Sequence, residues 1–411
     1  MRHTIVSLLT CCLVALATSA GAATVEGIEG PVFGAAVVSK GLEASGQKPE
    51  SKLFFTEDGR WWGALGLADG VATPGVYLFE LTGSGWLPRV RLADSDPWAK
   101  ADTLYDATAD TLLVSLRDNK VSDGANARRS TLHTLAYDGL GGWTEPGSPL
   151  TITTANVETI TIAKDSLGRV WASFEQAKRI KAGYLLPGAT GFTFMPVSST
   201  NVAADDIATV VAFDGKIGVF WSDQIARRFM FAVRDDTAAL RKTKFTREVA
   251  YGEGVGGCPT ATSDRCADDH VNLTVANGEA LAVVKTSLND EIPSDPDDPL
   301  IVLLTRSGGE WSPDEVSDVE ENFTRPIVLA DPSGDRVFVF ASVLNGDTYA
   351  WDAELSDPDF DDEQPWTVDT DLVLSNPTST KQAVSADTGY VVMTSTPKAP
   401  YRYWYNLVEP A

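Results

Sequence analysis

Asp205–Trp221, DDIATVVAFDGKIGVFW, and Asp268–Val284, DDHVNLTVANGEALAVV, are two copies of one grammar. A polar opening leads into a short apolar run, a turn containing Gly or Asp reverses the chain, and a second apolar run follows. Such runs lack helical periodicity and are bounded by turn residues, so each copy reads as a pair of antiparallel strands. The same grammar recurs in SKLFFTEDGRWWGAL from Ser51, ADTLYDATADTLLVSL from Ala101 and VETITIAKDSLGRVWASF from Val157. It returns in TRPIVLADPSGDRVFVFA from Thr324 and TKQAVSADTGYVVMTS from Thr380.

The copies begin roughly 48–63 residues apart, close to the period of about 40–50 expected for four-stranded propeller blades carrying insertions. Further apolar runs supply third strands, as in VYLFEL from Val76, RFMFAVR from Arg228 and LIVLLTR from Leu300. Aromatic residues at Trp86, Trp143, Trp311 and Trp366 precede more polar fourth strands. The expectation is an all-β fold, a single seven-bladed β-propeller; six or eight blades, or two β-sandwiches, are the alternatives. The last unit, ending in YRYWYNLV from Tyr401, is one strand short. The stretch Val32–Val38 is expected to supply that strand, a clasp between the N- and C-termini that leaves no open sheet edge.

The N-terminus reads as an export signal over residues 1–22. Arg2 precedes the apolar run Ile5–Ala17, and Ala20-Gly21-Ala22 fits a small-residue cleavage site. The run is short for a membrane span, and no later segment is long and apolar enough to be one. Residues 23–411 are then the propeller, and the expected location is secreted, extracellular or periplasmic. Of the four cysteines, Cys258 and Cys266 lie beyond the signal, in a Gly/Thr/Ser/Asp loop, and are expected to form a disulfide. Zinc is not expected, because only His133 and His270 remain as histidines.

The chain is strongly acidic, with a net charge of −24. Such a surface repels nucleic acid and anionic membranes, so neither is an expected partner. A monomer without an organic cofactor is expected. Calcium is the one ion the composition suggests, through the acidic stretches Asp290–Asp298 and Asp357–Glu363, although neither fits an EF-hand loop.

In a propeller the first strand of each blade lines the central channel, and ligands usually seat where those strands begin. Comparing those starts gives Lys52, Asp102, Glu158, Asp206, His270, Arg325 and Lys381, a ring of charged or titratable side chains. It can be a ligand site or merely the polar filling of a wet channel. The acidic pairs Asp205-Asp206 and Asp268-Asp269 open the fourth and fifth copies, and the cysteine loop lands beside His270. His270 is the candidate for proton transfer, because its unperturbed pKa lies near neutrality. Arg325 and Lys381 could hold a carboxylate or oxyanion. Glu158, Asp206 or Asp269 could orient the imidazole. Trp221 and Lys285, at the ends of second strands, add a stacking face and a hydrogen-bonding group for a sugar; interblade packing is the competing role for Trp221.

AADDIATVVAFDGKIGVFWSDQ, ADDHVNL, VVKTSLND, FTRPIVLAD and NPTSTKQAV together resemble a group of exported bacterial propeller proteins. The resemblance spans nearly half the chain and implies a propeller and an exported location, with no activity attached. Likeness to sialidase propellers is remote. Lys164–Trp171 keeps only the Gly and Trp of the S-x-D-x-G-x-T-W box, and no set of three substrate-clamping arginines is evident. Three functions follow as expectations: binding of a glycan or other small polar ligand at the channel mouth, a polysaccharide lyase or glycoside hydrolase using His270, or a protein-interaction scaffold. Fold alone does not choose among them.

Overall fold

A computed structural model describes residues 28–32 and 44–410, apart from 47, 69–70, 118–128, 241–243, 253–257, 259–265, 291–293, 362, 370 and 399–400. The signal segment 1–22 lies outside the described residues.

Seven antiparallel sheets form the blades of a β-propeller, with essentially no helix. The channel-lining strands are Leu53–Phe55, Lys100–Asp106, Thr161–Lys164, Ala208–Phe213, Val271–Ala276, Phe323–Asp331 and Ser375–Thr378. Each is followed by strands stepping outward, and the second blade carries a fifth strand, Trp143–Thr144.

The hairpins between first and second strands form for local reasons. Phe213 pairs with Lys216 and Ala276 with Glu279, leaving two-residue turns of Asp214-Gly215 and Asn277-Gly278. Both residues of each turn have positive φ, 42° and 66° in one, 51° and 77° in the other. Those turns match the right-handed twist of the strands, and Asp-Gly and Asn-Gly tolerate them. In the third blade a carboxylate ties the turn. Asp165 accepts from the main-chain N–H of Leu167 and Arg169, at 3.1 and 2.9 Å, and from the Trp171 indole N–H at 2.7 Å.

The core lies between blades, with one buried cluster at each of the seven interfaces. Phe220, Phe229 and Phe231 of the fourth blade meet Val271 and Leu304 of the fifth. Leu53 and Phe79 of the first meet Met393 and Tyr403 of the seventh, which closes the ring. The terminal clasp exists, but with a different strand from the one expected. Ile28–Val32 is the outer strand of the seventh blade, pairing antiparallel with Arg402–Val408 from Ile28↔Tyr405 to Val32↔Arg402. Residues 33–38 lie outside the described residues. The physical logic is unchanged, because an N-terminal strand covers the C-terminal edge.

No helix of the described residues is long and apolar enough to cross a membrane. Cys258 and Cys266 are disulfide-bonded, with Cα atoms 6.2 Å apart, and both are buried in the cluster between the fourth and fifth blades.

Candidate functional site

The ring expected at one level is staggered over two. Asp102, Thr161 and Asn272 are equivalent, because each accepts a hydrogen bond from the next blade's main-chain N–H, at Ile162, Val210 and Val328. Asp102 therefore stands inside the channel. Glu158 and His270, three and two residues before their blade's equivalent position, lie nearer the entrance.

The inner layer is a closed network. Asp102 is fully buried and accepts from Ser51 N–H at 2.9 Å, from Ile162 N–H at 2.8 Å and from the Lys381 ammonium. Lys381 also donates to the Ile162 carbonyl at 2.9 Å. Lys52 is 2% exposed, donates to the Ala101 carbonyl at 3.1 Å and lies 3.5 Å from Glu50. Glu50 in turn accepts from Ile160 N–H at 3.2 Å. Burial pushes the Asp102 carboxyl up and the Lys52 ammonium down, outweighing their charged partners. This layer ties the blades together across the axis. Lys52 and Lys381, expected to face a ligand, are committed to protein partners: Lys52 to its own segment and the adjacent blade, and Lys381 across the channel, which is narrow enough for its ammonium group to span.

The outer layer gathers charges from five segments. His270 Nδ1 lies 2.9 Å from Asp268 and 3.0 Å from Asp269. The Lys285 ammonium pairs with Asp268 and donates to the Thr286 carbonyl at 2.9 Å and to Asn289 Oδ1 at 3.1 Å. The Lys48 ammonium pairs with Asp269 and lies 3.6 Å from Glu158. The Asp205 side chain is exposed nearby, close enough to act on Glu158. Burial raises the Glu158 carboxyl; Lys48 opposes this, while Asp269 and Asp205 add to it. Burial also acts to raise Asp268, but His270 and Lys285 outweigh it and hold that carboxyl well below its usual range. Arg117 acts on both Glu158 and Lys52, which links the two layers.

Two carboxylates facing Nδ1 fix that nitrogen as a donor and orient the ring. Nε2 is buried and has no hydrogen-bond partner among the described residues. Cys266 lies four residues before His270, so the disulfide anchors the segment that carries the acidic pair. Asp268, Asp269 and His270 also form, among the described residues, the one group of three metal-type ligands whose atoms lie within 4.8 Å of one another. Two lysines already neutralise those carboxylates.

Of the other candidates, Trp221 and Asp206 are buried, and Arg325 lies at the entrance. Trp221 is 1% exposed and packs in the core between the third and fourth blades with Trp171 and Met230, so it offers no stacking face. Its position at the end of a buried second strand decides this. Asp206 is buried and caps its own loop, accepting from Ala203 N–H at 2.6 Å, Ser222 Oγ at 2.8 Å and the Gln224 amide at 3.1 Å. Burial outweighs those bonds and pushes its pKa up to about 6. Arg325 sits in a bulge between Thr324 and Ile327, with φ of +57°, at the entrance end of its strand. Lys48, Glu50 and Arg117 were not foreseen; the first two precede the first repeat, where periodicity carries no signal.

No protein-family model and no curated protein matches the chain. Many solved structures match in shape. An ulvan lyase, described as a new family of polysaccharide lyase bound to -[GlcA(1-4)Rha3S]-, has a TM-score of 0.53 and 11% identity, covering 93% of this chain and 96% of that one. A chain of a mitotic checkpoint complex has a TM-score of 0.52 and 10% identity, covering 98% and 99%. A sialidase from Trypanosoma rangeli has a TM-score of 0.45 and 11% identity, covering 81% and 59%. At such identities these likenesses concern the fold alone. The class of protein defined here is the seven-bladed propeller.

Proposed function

We propose that the chain is an exported glycan-binding propeller whose ligand seats at the channel mouth, over Lys48, Glu158, Asp205, Asp269 and His270. The observation that carries this reading is the convergence of partly exposed charges from four segments around a channel whose deeper layer is closed by its own ion pairs. Such a mouth presents donors and acceptors side by side, suited to hydroxyls and sugar carboxylates. The fold likeness to a lyase bound to a uronate-containing saccharide makes uronate polymers the first ligands to try. The test is a glycan array followed by calorimetry on the hits. Wild type should bind, and Glu158→Gln with Asp269→Asn should weaken binding roughly tenfold or more. Binding that ignores these substitutions would sink the proposal.

A second reading, a uronate lyase, is favoured by the carboxylate-held His270 alone. In it, Nε2, which has no hydrogen-bond partner among the described residues, takes the proton beside the uronate carboxyl. The electron pair forms the ring double bond, the glycosidic C–O bond breaks, and the departing oxygen takes a proton from the imidazolium. Products would absorb in the ultraviolet, and His270→Ala would abolish that signal. Binding without such products leaves a lectin-like protein and excludes the lyase.

A further inference from the structure

One of the two acidic loops conspicuous in the sequence, Asp357–Glu363, lies beside the outer strand Glu310–Asp318 on the rim of the propeller, away from the channel. Asp297 and Asp298 act on Glu315, Asp357 acts on Asp314, and Glu363 acts on Glu321. Phe360 and Asp361 of that loop help line a cleft of about 610 Å³ between the outer parts of the fifth and sixth blades. Glu315, Asp318, Glu321 and Asp361 line it with carboxylates, Trp351 and Phe360 give it an apolar wall, and no lysine or arginine is among the described lining residues. Burial raises the carboxyls of Glu315 and Glu321, and neighbouring carboxylates add to the effect.

A second observation points to a ligand that donates hydrogen bonds. Ser317 also lines the cleft, is 3% exposed, and its hydroxyl has no partner among the described residues. Native proteins seldom leave a buried hydroxyl unpaired. The spacing decides the class of ligand. Calcium takes six to eight oxygens at about 2.3–2.6 Å. Among the described residues no three cleft carboxylates come within 4.8 Å of one another, a condition met only by Asp268, Asp269 and His270. The volume lies within the range of about 300–1,000 Å³ usual for small organic ligands. A chain of methylenes with spaced ammonium groups fits these features. Its carbons lie along Trp351 and Phe360, its charges reach separated carboxylates, and one N–H meets Ser317.

We propose that this cleft binds an aliphatic polyamine, independently of the channel mouth. The test is calorimetry with spermidine and, separately, with calcium chloride, at about 20 mM salt where weak ion pairing is least screened. Wild type should show saturable one-to-one binding of spermidine. Glu315→Gln with Glu321→Gln should weaken it roughly tenfold or more, and Ser317→Ala roughly threefold. Asp387→Asn with Glu409→Gln removes the same charge from exposed positions elsewhere and should leave binding intact, as should His270→Ala. Absence of saturable binding would overturn the proposal. So would equal loss in the remote double variant, which would mean diffuse attraction to an acidic surface. Calcium binding that needs Glu315 and Glu321, without spermidine binding, would replace the polyamine with an ion.

Discussion

Replacing Asp102 by Ala should be among the most damaging single substitutions in this protein. The side chain is fully buried, and three partners depend on it: Ser51 N–H, Ile162 N–H and the Lys381 ammonium. Removing one member of a buried ion pair typically costs about 3–5 kcal/mol, because the other charge stays buried and uncompensated. Two orphaned main-chain donors place Asp102→Ala toward the upper end of that range. The wild-type pair is not itself strongly stabilising. Burial raises the Asp102 carboxyl despite Lys381, so desolvation exceeds the attraction. The double variant Asp102→Asn with Lys381→Met, which removes both charges and keeps an acceptor for one of the two main-chain N–H groups, should therefore lie about 1–3 kcal/mol below wild type and above the single variant. Urea unfolding followed by tryptophan fluorescence gives both numbers. A loss below about 1 kcal/mol for Asp102→Ala, or a double variant no better than the single, would refute this account of the channel.

Three further outcomes are expected. Cys258→Ser should cost about 2.5 kcal/mol, the chain-entropy value for so short a loop, and intact-mass analysis should show the wild type gaining the mass of two hydrogen atoms only after a thiol reductant supplies the two electrons. Asp206 has a raised pKa of about 6, so the folded state binds its proton more tightly than the unfolded chain. Stability should then fall as pH rises from about 4 to 6, by an amount of order 1–3 kcal/mol, and Asp206→Asn should flatten that slope in urea titrations at stepped pH. Trp221→Ala should open a cavity between the third and fourth blades and lower stability by about 3–5 kcal/mol. Glycan affinity of the folded fraction should be unchanged, and a selective loss of affinity would restore Trp221 to the site.

How far the site was legible depended on the distance in sequence over which its parts cooperate. His270 with its preceding acidic pair, and the cysteines beside them, form a local pattern, and the structure keeps them adjacent. Levels within the channel were not legible. Asp102 and His270 both follow a turn and open a strand, yet a two-residue difference in register puts one in the sealed interior and the other near the mouth. Trp221 reads equally well as a sugar platform or as core, because alternation along a strand does not say which neighbour covers it. Lys48 had no signal at all, since its partners Glu158 and Asp269 are more than a hundred residues away.

The amino-acid sequence alone determined the blade count, the need for a terminal clasp and the export signal as an expectation. These rest on local rules: turn residues, strand alternation and a repeat period set by the length of four short strands. Only the tertiary structure decided which strand makes the clasp, which charges pair across the axis and which acidic loop lines a cleft. Those outcomes depend on the rotation of seven blades about a common axis, which brings together side chains whose spacing along the chain carries no trace of their contact.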